Sequence, residues 1–131
     1  MESSHENAAR LELDVRRRER VTTGGDDAWV VEAYVPPDLH YFRGHFEGHA
    51  ILPAVVQLET FVVPQVTAIW PELVHLRRLQ KLKFRRRIPP SSTLHLHLER
   101  KGWRVSFRID VALERSTSQA SSGALVFTAG P

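Results

Sequence analysis

Two ionisable residues, His45 and Glu59, are of types that can take part in proton transfer. His45 lies in a segment flanked by Gly44 and Gly48, and Glu59 follows fourteen residues after the histidine. An imidazole accepts a proton near neutral pH, and a carboxyl group in apolar surroundings favours its protonated form. Such a histidine and acid form an acid/base pair. On the two residues alone, a hydrogen-bonded loop histidine and an isolated polar glutamate are the favoured interpretation.

The stretch that carries Glu59 has the composition of a buried helix. Pro53 suits the first helical position, and the following residues to about Ile69 are apolar around nearly the whole circumference. A buried strand is the alternative, but sixteen residues are too long for one. We therefore predict a helix from Ala54 to about Ile69, kinked near Pro64. Its first backbone N–H groups lack partners within the helix and can polarise a carbonyl oxygen.

Segments with a period of two on both sides of this helix predict an antiparallel sheet. Strands are predicted at 11–15 and 28–35 (a hairpin with a turn at 22–27), and then at 79–88, 94–98, 103–113 and 124–128. Residues 39–52 are predicted as an ordered loop, and 116–123 as a long turn. A single helix among antiparallel strands predicts an α+β fold whose sheet wraps around one central buried helix.

Length and composition limit the class of protein. The 131 residues, 42% hydrophobic and 25% charged, indicate a flexible segment at 1–10 and a single domain at 11–131. The chain has no cysteine, which excludes disulfide scaffolds, zinc–thiolate sites and thiol catalysis. No apolar run reaches 18 residues, and the N-terminus lacks the pattern of a signal peptide. We therefore expect a soluble cytoplasmic protein that does not bind membranes.

The positive charge is concentrated in one part of the chain. Residues 77–104 contain ten basic side chains and one acid, whereas the rest of the chain contains eight basic and fourteen acidic ones. This distribution suits an anionic partner. A solvated strand face, an acidic protein and a nucleic acid are all consistent with it, although the patterns typical of RNA-binding proteins are absent.

The histidines give little indication of a metal site. His45 and His49 have a helical spacing, but Gly44 and Gly48 disfavour a helix there. His40 completes no recognised set of ligands. His95 and His97 alternate with leucines, which predicts that they lie on the outer face of a strand. We predict no metal site.

The segment around His45 resembles the 3-hydroxyacyl-acyl-carrier-protein dehydratases of the hot-dog superfamily. Their pattern is His-Phe-x-Gly-x-Pro-x-x-Pro-Gly-Val, followed by an acid fourteen residues after the histidine. The matching positions are His45, Phe46, Gly48, Pro53, Val55 and Glu59, and the positions that depart are Ala50, Ala54 and Val63. The form of residues 51–59 is most similar to the small dehydratases of bacterial aryl-polyene and related pigment clusters.

The resemblance implies a mechanism and a set of partners. His45 would be the general base and Glu59 the acid, with the Ala54 N–H, Gly48, Pro53 and Val55 around the substrate thioester. Neither a metal nor another cofactor is implied. A homodimer or a dimer-based oligomer is expected, with its sites at the subunit interface. An acyl carrier protein would dock on four basic residues: Lys83, Arg85, Arg86 and Arg87.

Two other functions are compatible with the same fold. A hot-dog thioesterase would hydrolyse an acyl thioester, but that group usually lacks the histidine-containing loop. A catalytically silent hot-dog subunit would bind acyl chains or pair with an active partner, and alanine at positions 50 and 54 motivates this alternative.

Overall fold

The computed structural model describes residues 12–22, 24–42 and 52–130. Within these residues, six strands form one antiparallel sheet in the order β1-β2-β4-β5-β6-β3. The strands are β1 (Asp14–Arg20), β2 (Asp27–Tyr34), β3 (His75–Phe84), β4 (Thr93–Lys101), β5 (Arg104–Ala112) and β6 (Thr117–Thr128). A short 3₁₀ helix, His40–Phe42, follows β2. The predicted α+β class is confirmed.

One helix, α1, runs continuously over residues 54–69. It consists of an α-helical turn (Ala54–Val56), a π-helical segment (Gln57–Val62) and a second α-helical segment (Val63–Ile69). Pro53 is the N-cap residue that precedes the helix, whereas the sequence predicted it at the first helical position. The wider π segment ends where Val63 donates its N–H to the carbonyl of Leu58, just before Pro64, which has no N–H to donate.

The concave face of the sheet packs on α1. Along β4 and β5 every second residue is buried, and these side chains form one core with Phe61, Val62 and Val66 of the helix. Phe61 is only 1% exposed, and its burial stabilises the fold by about 2–3 kcal/mol. The sheet thus holds α1 in a fixed position relative to its own edges.

The described residues of a single chain do not cover α1 around its whole circumference. Val55 is 56% exposed, and Glu59, Pro64 and Ala68 are also exposed, so the helix keeps one uncovered side. The six-stranded sheet curves around the other side only. The apolar residues on the uncovered side therefore have no cover within the described part of this chain.

Three strand predictions also need correction. β1 extends through Arg20, so its arginines lie in a strand, because pairing with β2 continues beyond the apolar alternation. Residues 117–123 of the segment predicted as a turn at 116–123 belong to β6, where small side chains such as Ala120 and Ser121 are fully buried. β3 begins at His75 and ends at Phe84, so Arg85–Arg87 follow the strand.

β3 forms one edge of the sheet and pairs only with β6 among the described strands. A bulge interrupts this pairing between Gln80 and Lys83, and Lys81 within it has a φ of 54°. Four apolar side chains of this edge strand are partly exposed: Leu76, Leu79, Leu82 and Phe84. In the described part of the chain, no helix is long and apolar enough to cross a membrane.

Candidate active site

The predicted site residues divide into two groups. Pro53, Ala54, Val55 and Glu59 lie on α1 or immediately before it. His45 and Gly48 fall outside the described residues. The loop predicted for residues 39–52 is therefore described only at its two ends. The pairing of His45 with Glu59 stays a prediction.

The N-terminus of α1 has no side-chain cap. Pro53 has φ −62° and ψ 153°, and its carbonyl oxygen accepts a hydrogen bond of 3.0 Å from the backbone N–H of Gln57. In a trans peptide the C=O and the following N–H point in opposite directions. The N–H of Ala54 therefore points out of the helix. The Ala54 side chain is itself exposed, so its methyl group meets no crowding from the described residues.

Glu59 lies on the uncovered side of α1, four residues after Val55. The neighbouring Leu58 and Phe61 turn toward the sheet and are buried, which leaves Glu59 facing away from the core. The prediction of apolar surroundings for Glu59 is wrong within the single chain. Its carboxyl lines a cavity of about 320 Å³ whose other walls include Glu12, Leu13, Thr60 and Pro64.

A second cavity of about 260 Å³ lies at the N-terminus of α1. It is bounded by the helix start and by the segment after β3: Leu52, Pro53, Ala54, Gln57, Phe84, Arg85, Arg86 and Arg87. The structure thus brings the predicted thioester-binding position Ala54 next to three of the predicted docking arginines. The fourth basic residue, Lys83, lines a different cavity of about 550 Å³ together with Lys81 and Arg104.

Backbone hydrogen bonds hold the arginine segment against β6. The N–H groups of Arg85 and Arg86 both donate to the carbonyl of Ala120, at 2.7 and 3.2 Å. Arg86 Nε also donates to Ser118 Oγ at 2.9 Å. Within the described residues, Arg85, Arg86 and Arg87 form no ion pair with a carboxylate. Their positive charge is available at the mouth of the cavity.

One polar residue at this junction was not singled out from the sequence. Gln57 is 4% exposed, and its side-chain amide bonds both to the chain before the helix and to β6. The signal that could have drawn attention to it is a lone amide within the apolar run that begins the helix.

His95 and His97 lie on the outer face of β4, as predicted from their alternation with buried leucines. His95 Nε2 is 3.6 Å from Glu32, and His97 Nε2 is 3.2 Å from Asp110. Burial, followed by the nearby charge of Arg108, lowers the pKa of His97. Among the described residues, no cluster of three or more side chains is suited to bind a metal ion.

A family model for ApeI-like proteins, described as ApeI dehydratase, matches residues 18–124. The chain belongs to the ApeI-like dehydratase family. The predicted resemblance to hot-dog dehydratases is thereby confirmed. A curated relative, the 3-hydroxyacyl-[acyl-carrier-protein] dehydratase FabZ of Acidiphilium cryptum, is 32% identical over 69 residues, or 47% of this chain and 42% of FabZ. The chain therefore aligns with less than half the length of that relative.

Two solved structures share the fold of this ApeI-like protein. An uncharacterised protein from Erwinia carotovora subsp. atroseptica has a TM-score of 0.81 and 26% identity, covering 90% of this chain and 97% of that one. The dehydratase heterocomplex ApeI:P from Xenorhabdus doucetiae has a TM-score of 0.73 and 23% identity, covering 88% and 97%. The sheet and helix described above are those of a hot-dog fold.

Proposed function

We propose that this ApeI-like protein dehydrates a 3-hydroxyacyl thioester, carried on an acyl carrier protein, to the trans-2-enoyl thioester. The proposal rests on the family of the chain and on the positions of two groups of α1. The uncapped helix N-terminus and the carboxyl of Glu59 both lie on the side of the helix that the sheet leaves open. Fatty-acid-like, polyketide and aryl-polyene pathways all use this reaction, and the proposal covers each of them.

The proposed reaction is a proton-balanced elimination. His45 removes a proton from the α-carbon of the thioester, and the electrons of that C–H bond form the new C=C bond. The bond from the β-carbon to oxygen breaks, and Glu59 gives its proton to the departing hydroxyl, which leaves as water. The N–H of Ala54 donates to the thioester oxygen, where negative charge develops. Proton return from His45 to Glu59 through solvent completes the cycle.

The proposed site needs a second subunit. Glu59 and Val55 are exposed in the single chain. The outer edge of β3 pairs with no other described strand and carries exposed apolar side chains such as Leu79 and Phe84. Edge pairing with another hot-dog subunit would cover these groups. We propose a homodimer or a dimer-based oligomer as the working assembly. The similar structure from Xenorhabdus doucetiae is the dehydratase heterocomplex ApeI:P, which makes unlike subunits an outcome to test.

We also propose that the acyl carrier protein docks on the basic residues after β3. Arg85, Arg86 and Arg87 line the cavity at the start of α1, so a carrier bound there can deliver its thioester to the Ala54 N–H. Lys83 extends the same positive surface along the edge strand. Unpaired basic side chains attract an acidic protein and orient its approach.

The acid/base pair is tested with His45→Ala and Glu59→Gln. Each variant should lower the hydration rate of an enoyl thioester by at least about 100-fold, because each loses a proton-transfer group. His95→Asn and Glu99→Gln are matched controls, since both lie on β4 away from α1, and they should retain the rate within about threefold. Circular dichroism checks that all four variants are folded.

The assay follows enoyl absorbance and free thiol together. Full activity in both site variants would contradict the assignment of the pair. Release of thiol without an enoyl product would indicate a thioesterase. A folded dimer that turns over neither the 3-hydroxyacyl nor the enoyl thioester would indicate a silent subunit. The exposed position of Ala54 argues against that outcome, because it leaves the oxyanion donor accessible.

A further inference from the structure

Gln57 is a buried amide among apolar neighbours in the first turns of α1. Its side chain is 4% exposed, between Val56 and Leu58, which are also buried. Burying an amide without partners costs about 1–3 kcal/mol in proteins, whereas an apolar side chain of similar volume avoids that cost. The amide therefore needs hydrogen bonds, and the positions of its partners show which parts of the chain it connects.

The side chain of Gln57 connects three parts of the chain. Its Nε2 donates to the carbonyl of Leu52 at 3.0 Å, and its Oε1 accepts from Ser121 Oγ at 2.9 Å. Ser121 lies on β6 and is fully buried. The N–H of Leu52 in turn donates to the carbonyl of Ile88 at 2.8 Å. The last residue before Pro53 is thus held from both sides.

Gln57 orients two consecutive peptide planes. Its side chain bonds to the carbonyl of Leu52, which belongs to the peptide between Leu52 and Pro53. Its backbone N–H bonds at 3.0 Å to the carbonyl of Pro53, which belongs to the peptide that also contains the Ala54 N–H. Pro53 has no backbone N–H, so these two peptide planes are held by hydrogen bonds to their carbonyl groups. The direction of the Ala54 N–H therefore depends on Gln57.

We propose that Gln57 is a positioning residue that, together with Ser121, aims the Ala54 N–H at the thioester oxygen. The inference rests on the proposed function, because Ala54 is the oxyanion donor of that reaction. A donor displaced by a few tenths of an ångström still allows the substrate to bind. It stabilises the developing charge less well, so the loss appears in kcat.

The main test is Gln57→Met, with Gln65→Met as a matched control. Gln65 is the other buried glutamine of α1, 6% exposed, and its Oε1 accepts from Arg18 Nε on β1 at 2.7 Å, away from the helix start. Gln57→Met should lower kcat about 30-fold with KM changed less than about threefold. Gln65→Met should lose comparable stability in urea but keep kcat within about threefold. Ser121→Ala should lower kcat less than Gln57→Met does.

A pH profile separates orientation from packing. In Gln57→Glu, a protonated carboxyl can still donate to the Leu52 carbonyl and accept from Ser121, whereas an ionised one repels that carbonyl. The ratio of variant to wild-type kcat should rise as pH falls. The same ratio for Gln57→Met should stay constant with pH. A flat ratio for Gln57→Glu, or equal kcat losses for Gln57→Met and Gln65→Met, would overturn the inference.

Amide hydrogen exchange tests the inference without catalysis. Gln57→Met should speed exchange of the Gln57 and Leu52 N–H groups at least about tenfold, while Gln65→Met leaves both unchanged. If the wild-type protein turned over neither the 3-hydroxyacyl nor the enoyl thioester, the proposed function would be contradicted and the hydrogen-bonding role of Gln57 would not. Unchanged exchange in Gln57→Met would count against the inference alone.

Discussion

Arginine is concentrated at the two opposite edges of the sheet, and the two edges use it differently. In β1, each of four arginines has a partner among the described residues: Arg16 with Asp14 at 3.5 Å, Arg17 with Glu32 at 3.5 Å, Arg18 with Gln65 at 2.7 Å and Arg20 with Asp27 at 2.7 Å. At the other edge, the basic residues of 77–87 (Arg77, Arg78, Lys81, Lys83, Arg85, Arg86 and Arg87) form no ion pair with a described carboxylate.

The difference teaches that charge composition alone does not distinguish a structural role from a binding role. The β1 arginines connect the first hairpin to itself and, through Arg18 and Gln65, to α1. Carboxylates compensate the charge of three of them, and Arg18 bonds to a neutral amide. The basic residues of 77–87 have no such carboxylate partner among the described residues, and three of them, Arg85, Arg86 and Arg87, line the cavity at the start of α1. Substitutions at the first edge should therefore change stability, and substitutions at the second edge should change the interaction with a charged substrate carrier.

The largest expected effect comes from reversing charge at the second edge. The triple change Arg85→Glu, Arg86→Glu and Arg87→Glu should lower kcat/KM for a carrier-bound substrate about 100-fold, because three attractive contacts become repulsive. A small pantetheine thioester should lose much less. Reversal of Arg17 serves as the control at the first edge and should leave the ratio of the two substrates unchanged. Equal losses on both substrates for the triple variant would assign these arginines to a solvated face.

The next largest effect concerns Asp27, the first residue of β2, which accepts several hydrogen bonds beside the β1 edge. Asp27 accepts hydrogen bonds from Arg20 at 2.7 Å, Thr22 at 2.9 Å and Trp70 at 2.8 Å, which join the first hairpin to the end of α1. Asp27→Ala should lower the free energy of unfolding by about 2 kcal/mol. Asp26→Ala should change it by less than about 0.5 kcal/mol, because the ion pair of Asp26 with Lys101, at 3.6 Å, lies at the surface. Urea unfolding measures both free energies. Equal losses for the two variants would show that the hydrogen bonds of Asp27 do not stabilise the fold.

The same carboxyl should make stability depend on acidity. Burial tends to raise the pKa of Asp27, but hydrogen bonds from Trp70, Thr22 and Arg20 outweigh burial and lower the pKa to about 2. Because the folded pKa lies below the unfolded value of about 3.9, this contribution of about 1–2 kcal/mol is complete above pH 4. It is lost as pH falls toward 2. Asp27→Asn should show a smaller loss over that interval, and identical curves for the two proteins would contradict the shift.

The smallest expected effect is that of salt. Raising the ionic strength from about 0.05 to 0.5 M should raise KM for the carrier-bound substrate about fivefold, because exposed charges are screened. The free energy of unfolding should change by less than about 0.5 kcal/mol, since exposed ion pairs such as those of Arg16 and Arg17 contribute little to stability. A KM that is independent of salt would remove electrostatic docking from the proposal.

The general fold could be predicted because it follows from local patterns. Alternating leucines predicted β4, and the apolar run after Pro53 predicted α1. The start of β6 was missed because its side chains are small. Ala120 and Ser121 are buried, and Ser121 bonds to Gln57 of α1, so neither produces the hydrophobic alternation that marks a strand.

The site was predictable in its residues but less so in its surroundings. Glu59 was singled out because it interrupts an apolar run and matches the acid of the family pattern. Its exposure was not predicted, because an apolar helix has the same sequence pattern whether a sheet or a second subunit covers it. The role of Gln57 depends on contacts with Leu52 and with β6, 64 residues away. No spacing within the sequence indicates a contact over that distance.

The place of β3 in the sheet has a consequence for folding during synthesis. β3 leaves the ribosome directly after α1, yet among the described strands its only neighbour is β6, the last of the six to be made. Until then the backbone of β3 has no strand partner among the described strands, and its leucines and Phe84 lie on an unpaired strand. The nascent chain therefore passes through a stage that is prone to aggregation, and the four basic residues of β3 oppose association between such chains.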